Sequence, residues 1–425
     1  MRTFIQIWAG QLVSTIGSYM TFFALSLWAW ETTGSATALA LVGFFVQLPQ
    51  IPATLLAGAI VDRFNRKHLM LLGDAVTACA TLTIGLLHLT GRLEIWHLYP
   101  VAAVAGIFGQ IQILAYQASM SLIVPKKHYT RASSLGSAVH YSSNIVSPAL
   151  AGILYPIIGL SGIVGIDAVT FAIAFITLLT APIPQPSGKT ASPSDKLIDN
   201  LAFGFRQVWR RPELRTLLLF AAMFSFAHDL GGSLHSPMIL ARTDGNARIL
   251  ASVSAAAGIG GVMGSAIASI WGGPKSRVRG MLVGIIGAGL SKIVFGFGRS
   301  LSVWMPAQIC SSLNFPLLGS CRSALWMEAI PPERQGRVFA ANSVVIKSIS
   351  ALAVLLAGPL ADRILEPAMM PEKPLANLLG FAFGNGPGAG MAVIYVACSA
   401  CLFLIGLTGF FVPQLRAIET KKSPS

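Results

Sequence analysis

The chain has 425 residues, of which 54% are apolar and only 11% charged, against about 25% charged in ordinary soluble domains. Such a chain cannot cover a water-facing surface, which excludes a soluble globular protein and a disordered one and leaves an integral membrane protein. The formal net charge of +14 needs no nucleic acid to explain it, because positively charged cytoplasmic loops produce the same excess.

Twelve predominantly apolar segments of spanning length follow one another. The first six cover 5–29, 37–61, 68–90, 96–123, 132–155 and 161–181, and the second six cover 214–240, 249–271, 279–297, 302–328, 337–363 and 388–412. Each approaches or exceeds the ~20 residues that cross a bilayer as helix. The apolar runs are continuous and do not alternate, so helices and not strands are expected. With the N-terminus inside, 21 of the 30 basic residues fall in cytoplasmic segments. Six fall outside (Arg92, Arg242, Arg248, Arg299, Arg363, Lys373) and three within helices. Both termini are therefore expected in the cytoplasm. The first segment is long enough to remain as an anchor, so no cleavable signal peptide is required. All five cysteines lie within predicted spans and read as small packing residues. Cys398-x-x-Cys401 has redox or metal spacing but no His or acid beside it, so no metal site is expected.

At the end of the second segment stands Gly58-Ala-Ile-Val-Asp62-Arg63-Phe-Asn-Arg66-Lys67. A carboxylate at one helix end can face the positive N-terminus of a neighbouring helix, while Arg63, Arg66 and Lys67 stay in water. Such a latch holds one closed state and releases in another. The plainer reading of the three cations is that they fix topology.

Aligned with itself at an offset of 206, the chain pairs Gly58 with Gly264, Pro125 with Pro331 and Arg131 with Arg337, and Leu150-Ala-Gly152 with Leu356-Ala-Gly358. The matches fall at equivalent segments of each half, which predicts two pseudo-symmetric six-helix bundles, 1–184 and 214–425. Between them, 182–196 is rich in Pro, Ser, Gly and Thr and reads as a flexible cytoplasmic connector within a linker of 185–213. Its second part, 195–211, alternates apolar residues with Arg206, Arg210 and Arg211, the pattern of a short helix on the inner membrane surface or of an ordinary linker helix.

The G-x-x-x-D-R-x-x-R-K spacing resembles the signature of the major facilitator superfamily between its second and third membrane helices. Gln11-Leu-Val-Ser14-x-x-Gly17, Thr33-Gly34-Ser35-Ala36, Val124-Pro125, Gly336-Arg337-Val338-Phe339 and Asn385-Gly386-Pro387-Gly388 look like its macrolide-efflux and enterobactin-exporter branch. The resemblance implies an all-α fold of twelve membrane helices, Gly58 and Asp62 as a gating motif opposite Gly336 and Arg337, and export of drugs or siderophores by proton antiport. It departs from related drug antiporters in lacking an Arg in the fourth segment. Ser147-Pro148-x-x-Ala151-Gly152 only partly matches the antiporter motif, and Pro148, Gly152 and Gly358 also serve close helix packing.

An ionisable residue within a span is expensive and marks a substrate or ion pathway. Asp229, Arg322 and Lys347 are the strongest candidates. At about 1.5 Å per residue from the cytoplasmic ends they lie roughly 22, 9 and 15 Å deep. His140 and Tyr141 in the fifth segment, with Gln110, Gln112 and Gln117 in the fourth, add hydrogen-bonding groups; each is also compatible with a satisfied interhelical contact. Asp229 is a candidate carrier of the coupling proton. Glu31 and Asp167 lie near outer helix ends, and Asp74 is expected to pair with loop cations. The excess of Arg322, Lys347 and His140 over Asp229 favours an anionic or amphipathic cargo such as a carboxylate or catecholate siderophore.

No G-x-x-x-x-G-K-[ST] sequence occurs, so energy from an ion gradient is expected and no cofactor. Gly159-Leu-Ser161-Gly162 with Ala227-His228-x-x-Gly231 resembles the serine and histidine motifs of rhomboid intramembrane proteases, a Ser-His pair being competent for acyl transfer only when the two meet. A lipid flippase keeps the fold and changes the cargo. The expectation is a monomeric, multi-pass secondary transporter of the cytoplasmic (inner) membrane, not an enzyme, whose partners are a small-molecule substrate and membrane lipids.

Overall fold

The structure is a computed structural model that describes residues 2–125, 129–183 and 197–420. Helix and turn are the only secondary structure among them. The chain runs α1 (Arg2–Thr33), α2 (Ala36–Arg63), α3 (Arg66–Leu89), α4 (Ile95–Ile123), α5 (Tyr129–Thr180), α6 (Leu197–Arg210), α7 (Pro212–Ser233) and α8 (His235–Arg242). It continues with α9 (Ala247–Trp271), α10 (Arg277–Phe297), α11 (Leu301–Ala329), α12 (Pro332–Leu360), a π-helical turn at Ala361–Leu365, α13 (Glu366–Ala368), α14 (Pro374–Phe383), α15 (Ala389–Gly409) and α16 (Pro413–Thr420).

Ten helical stretches among the described residues are long and apolar enough to cross a membrane. One of them, Ser142–Thr180, contains two crossings: Gly159 sits at φ 63°, ψ −172°, a conformation closed to residues with a side chain, and turns α5 between the predicted fifth and sixth spans. The predicted tenth span is α11, which Arg322, Glu328 and two prolines make less apolar. With that split and that addition, the twelve crossings expected from the sequence are in place. Surface residues such as Ile157, Ile270 and Phe381 are 72%, 88% and 87% exposed, which suits contact with lipid and not with water.

The chain divides into two compact units. The first comprises Met1–Gly34 and Leu41–Asp195, and the second comprises Ser35–Ala40 and Lys196–Ser425. The first turn of α2 thus belongs to the second unit while the rest of that helix belongs to the first, a division the linear repeat did not anticipate. In the first unit α1 packs along α5, and α3 against both α4 and α5. Ile7, Met70, Ala115 and Leu178 close its core at one end. In the second unit α10 packs against α11 and α15, and α9 against α11, around Leu214, Leu282, Leu325 and Trp326.

Small residues set these distances. A Cβ added at Gly106 of α4 would lie 2.4 Å from the Val46 carbonyl oxygen of α2, and one added at Gly264 of α9 would lie 2.3 Å from the Leu313 carbonyl oxygen of α11. Pro148 and Gly152 are both buried on α5, where neighbouring Ser147 donates to the Ile16 carbonyl of α1 at 2.9 Å. Gly358 of α12 likewise meets the backbone of Thr37, 2.4 Å from an added Cβ.

Candidate functional site

Each unit carries a polar cavity inside its helix bundle. In the first unit a cavity of ≈ 300 Å³ lies among α1, α3, α4 and the second half of α5. Gly73 brings α3 so close to α4 that an added Cβ would lie 2.6 Å from Gln112 Cβ. Asp74 follows Gly73 directly, so this approach sets its carboxylate beside Gln112. Gln11 bridges the two: its Nε2 donates to Asp74 Oδ2 at 3.1 Å and its Oε1 accepts from Gln112 Nε2 at 3.1 Å. On the other wall Asp167 accepts from Ser18 Oγ at 3.2 Å and from Thr21 Oγ1 at 2.9 Å. Tyr19 and Phe171 supply aromatic surface to the same cavity. Two carboxylates, two amides and a ring of hydroxyls form a site for a cation, a proton or a hydrogen-bonding neutral molecule.

One expectation is corrected here. Asp74 takes its hydrogen bond from Gln11 of α1 and not from loop cations, because residue 74 lies two turns into α3 and faces α1 and α4. Asp167 lies near the start of the sixth crossing, as expected, eight residues past the turn at Gly159, and is only 4% exposed. Gln112 joins the cavity. Gln117, five residues on and so on another face of α4, is exposed and is not among the residues that line it.

In the second unit a cavity of ≈ 470 Å³ is lined by Arg322 and Ser323 of α11 and by Phe339, Asn342, Ile346 and Lys347 of α12, with Trp326 among its walls. The two predicted cations therefore share one cavity. One turn beyond Lys347, Ser350 donates to Asp229 Oδ2 of α7 at 2.5 Å. Beside Asp229 lies a cation the sequence reading passed over. Lys292 of α10 is 7% exposed, its Nζ is 2.9 Å from His228 Nδ1, and it lies 5.7 Å from the ring centres of Phe315 and Tyr395. Asp229 and Lys292 interact electrostatically. Its signal is present in the sequence as a lysine inside the apolar stretch 279–297.

At the G-x-x-x-D-R motif the side chains of Asp62, Arg63 and His140 and the surroundings of Gly58 lie outside what is described. Arg66 and Lys67 are described and have specific partners. Arg66 Nη1 donates to the Ala118 carbonyl at 2.8 Å, and Lys67 Nζ to the carbonyls of Leu179 and Ala181 at 2.7 and 2.9 Å. Lys67 thereby closes the C-terminal end of α5, where unsatisfied carbonyls and the helix dipole both favour a cation. These cations do more than report topology: they tie α3 to α4 and α5.

Of the two residues in the protease-like motifs, Ser161 Oγ is hydrogen-bonded to His88 Nδ1 at 2.7 Å, and His228 Nδ1 lies 2.9 Å from Lys292 Nζ.

Two bundles of apolar helices with buried charge inside each define a multi-pass membrane transporter. The family model of the Major Facilitator Superfamily matches residues 7–354, and the chain belongs to that superfamily. It is 26% identical over 363 residues to macrolide efflux protein A of Streptococcus pyogenes, covering 85% of this chain and 90% of that protein. It is 24% identical over 426 residues to the multidrug efflux pump Tap of Mycolicibacterium fortuitum, covering 97% and 96%. Among solved structures it resembles a bacterial homologue of the human lysosomal transporter Spinster in an inward-facing, unoccupied conformation, with TM-score 0.72, 16% identity and coverage of 100% and 98%. The nucleoside transporter NupG gives TM-score 0.76 at 11% identity, covering 96% of this chain and all of that one. These structures share the fold.

Proposed function

We propose that this chain exports a small amphipathic metabolite or drug across the cytoplasmic membrane by proton antiport, with both termini in the cytoplasm. The observation that carries the reading is buried Lys292 with half-buried Asp229 and His228, one turn from a cavity that holds Arg322 and Lys347. An acid and a buried amine that interact electrostatically hold a net charge that changes by one when either exchanges a proton, which is what coupling to a proton gradient requires. Their position beside the cargo cavity lets cargo and proton compete for the same charges. Efflux by the macrolide and multidrug relatives supports the export direction. No resident cofactor takes part, and the energy comes from the proton gradient.

One observation favours a narrower cargo. Arg322 and Lys347 line a single cavity whose other walls include Trp326 and Phe339, a combination that suits a planar aromatic anion such as a catecholate siderophore. The first experiment measures siderophores and macrolides inside and outside cells of a deletion strain, with and without iron, and repeats the measurement with Asp229→Asn. Accumulation inside the deletion strain, restored by the unsubstituted gene and not by Asp229→Asn, supports coupled export. Unchanged distribution of every compound tested removes the reading.

A further inference from the structure

The π-helical turn after α12 and the residue that follows it carry two carboxylates, Asp362 and Glu366, aimed at the starts of two helices. Glu366 accepts from the backbone N–H of Gly388 at 3.1 Å and of Met391 at 2.8 Å, and so caps α15. Asp362 accepts from Ser35 Oγ at 2.7 Å and from the backbone N–H of Ala36 and Thr37 at 3.1 and 2.8 Å, and so caps α2. Three donors on one carboxylate at a helix N-terminus make a strong, charge-assisted contact. Gly358, one turn earlier, lets the two backbones meet, since a Cβ there would lie 2.4 Å from Thr37 Cα. π-helical turns are rare and cluster at functional sites, where they re-aim a side chain.

The sequence around Asp362 repeats a spacing found elsewhere in the chain. Gly358-Pro-Leu-Ala-Asp362-Arg363 has the G-x-x-x-D-R arrangement of Gly58-Ala-Ile-Val-Asp62-Arg63. The spacing stands at the end of α2 and again, outside the repeat register that pairs Gly58 with Gly264, at 358–363, which run from the end of α12 into the π-helical turn. There Asp362 grips the first turn of α2 itself. That turn, Ser35–Ala40, groups with the second unit, while α2 from Leu41 onward groups with the first. A helix divided in this way can follow the first unit as a whole only when its first turn is released.

We propose that Asp362 is a second latch of the transport cycle, holding the start of α2 in the second unit in the state described and releasing it when the transporter changes state. Glu366, which caps a helix wholly within the second unit, stays closed throughout. The contrast between two carboxylate caps, one on a divided helix and one not, separates a moving latch from an ordinary structural cap.

The test uses the full-length protein in lipid nanodiscs and needs no cargo, so its outcome does not depend on the export reading. Ala36 is fully buried at 0% exposure. In an Ala36→Cys background, alkylation of position 36 by a membrane-impermeant maleimide is followed by mass spectrometry. Asp362→Asn should raise its rate by roughly tenfold, the loss of about one charge-assisted hydrogen bond. Glu366→Gln should leave it unchanged. In the unsubstituted protein, the amides of Ala36 and Thr37 should exchange with deuterium faster than those of Gly388 and Met391. No rise with Asp362→Asn, an equal rise with Glu366→Gln, or equal protection of the two caps each overturns the proposal. The exchange measurement carries the test if a variant fails to fold.

Discussion

Lys292 Nζ lies 2.9 Å from His228 Nδ1 in the interior of the second unit, with Phe224 stacked on the imidazole at 5.4 Å between ring centres. Replacing a whole buried ion pair by apolar residues is often neutral, but removing one partner leaves the other uncompensated and is destabilising, by about 3–5 kcal/mol in a fully buried pair. Lys292→Met leaves Asp229 without its cation and should therefore lower the unfolding temperature in detergent, and lower transport at least tenfold. His228→Phe keeps the stacking but removes the lysine's hydrogen-bond partner, and should cost about 1–3 kcal/mol. Thermal unfolding and vesicle transport, read side by side, check both. A Lys292→Met protein that transports at the unsubstituted rate would show that the lysine has no part in coupling.

The close approach of α4 to α2 gives a prediction about stability. At Gly106 an added Cβ meets the Val46 carbonyl oxygen at 2.4 Å and its carbonyl carbon at 3.2 Å, all backbone atoms that cannot rotate away. Gly106→Ala should destabilise by about 1–3 kcal/mol through overpacking. Gly109, with open space around its position, is the control, and Gly109→Ala should shift the unfolding temperature little. Equal shifts for the two would mean that helix propensity and not packing sets the cost.

The twelve crossings and the intramembrane cations are legible because each follows from composition along one stretch of chain. Arg322 and Lys347 were found by the simple rule that charge in an apolar span is functional, and they share a cavity. The same rule applied to Lys292, inside the apolar stretch 279–297, finds it as well. Asp74 has other surroundings than expected, with Gln11 and not a loop cation as its partner. Distance along a helix gives depth, but which helix faces a carboxylate depends on contacts such as Gly73 against Gln112, set by side chains far apart in sequence. The division of α2 between the units was invisible for a similar reason: Asp362 and Ser35 are 327 residues apart.

Asp74 is held by Gln11, which also binds Gln112, so the three side chains act as one group. Asp74→Asn keeps the shape and removes the charge; Gln11→Leu keeps the charge and removes its bridge. If the cavity takes a cation or a proton, Asp74→Asn should lower macrolide resistance at least fourfold while Gln11→Leu lowers it less. A survival assay over a drug dilution series decides it. The reverse order would assign the cavity's role to the amide network and make its charge incidental.

Arg322 and Lys347 line one cavity, and their separate removal tests what that cavity holds. An anion held by both cations loses one charge-assisted contact with either substitution, each worth about 1.5–3 kcal/mol, or roughly 10- to 100-fold in apparent affinity. A neutral or cationic cargo would lose little. Arg322→Gln and Lys347→Gln should thus each raise the KM for a catecholate or carboxylate cargo by at least tenfold, while leaving the maximal rate nearer to that of the unsubstituted protein. Arg322→Lys should recover only part of the loss, because an ammonium cannot offer the paired N–H donors of a guanidinium to a carboxylate. Concentration-dependent uptake into everted vesicles separates KM from rate. A uniform fall in rate for anionic and cationic compounds alike, with KM unchanged, would place the two cations in the conformational change and not in cargo recognition.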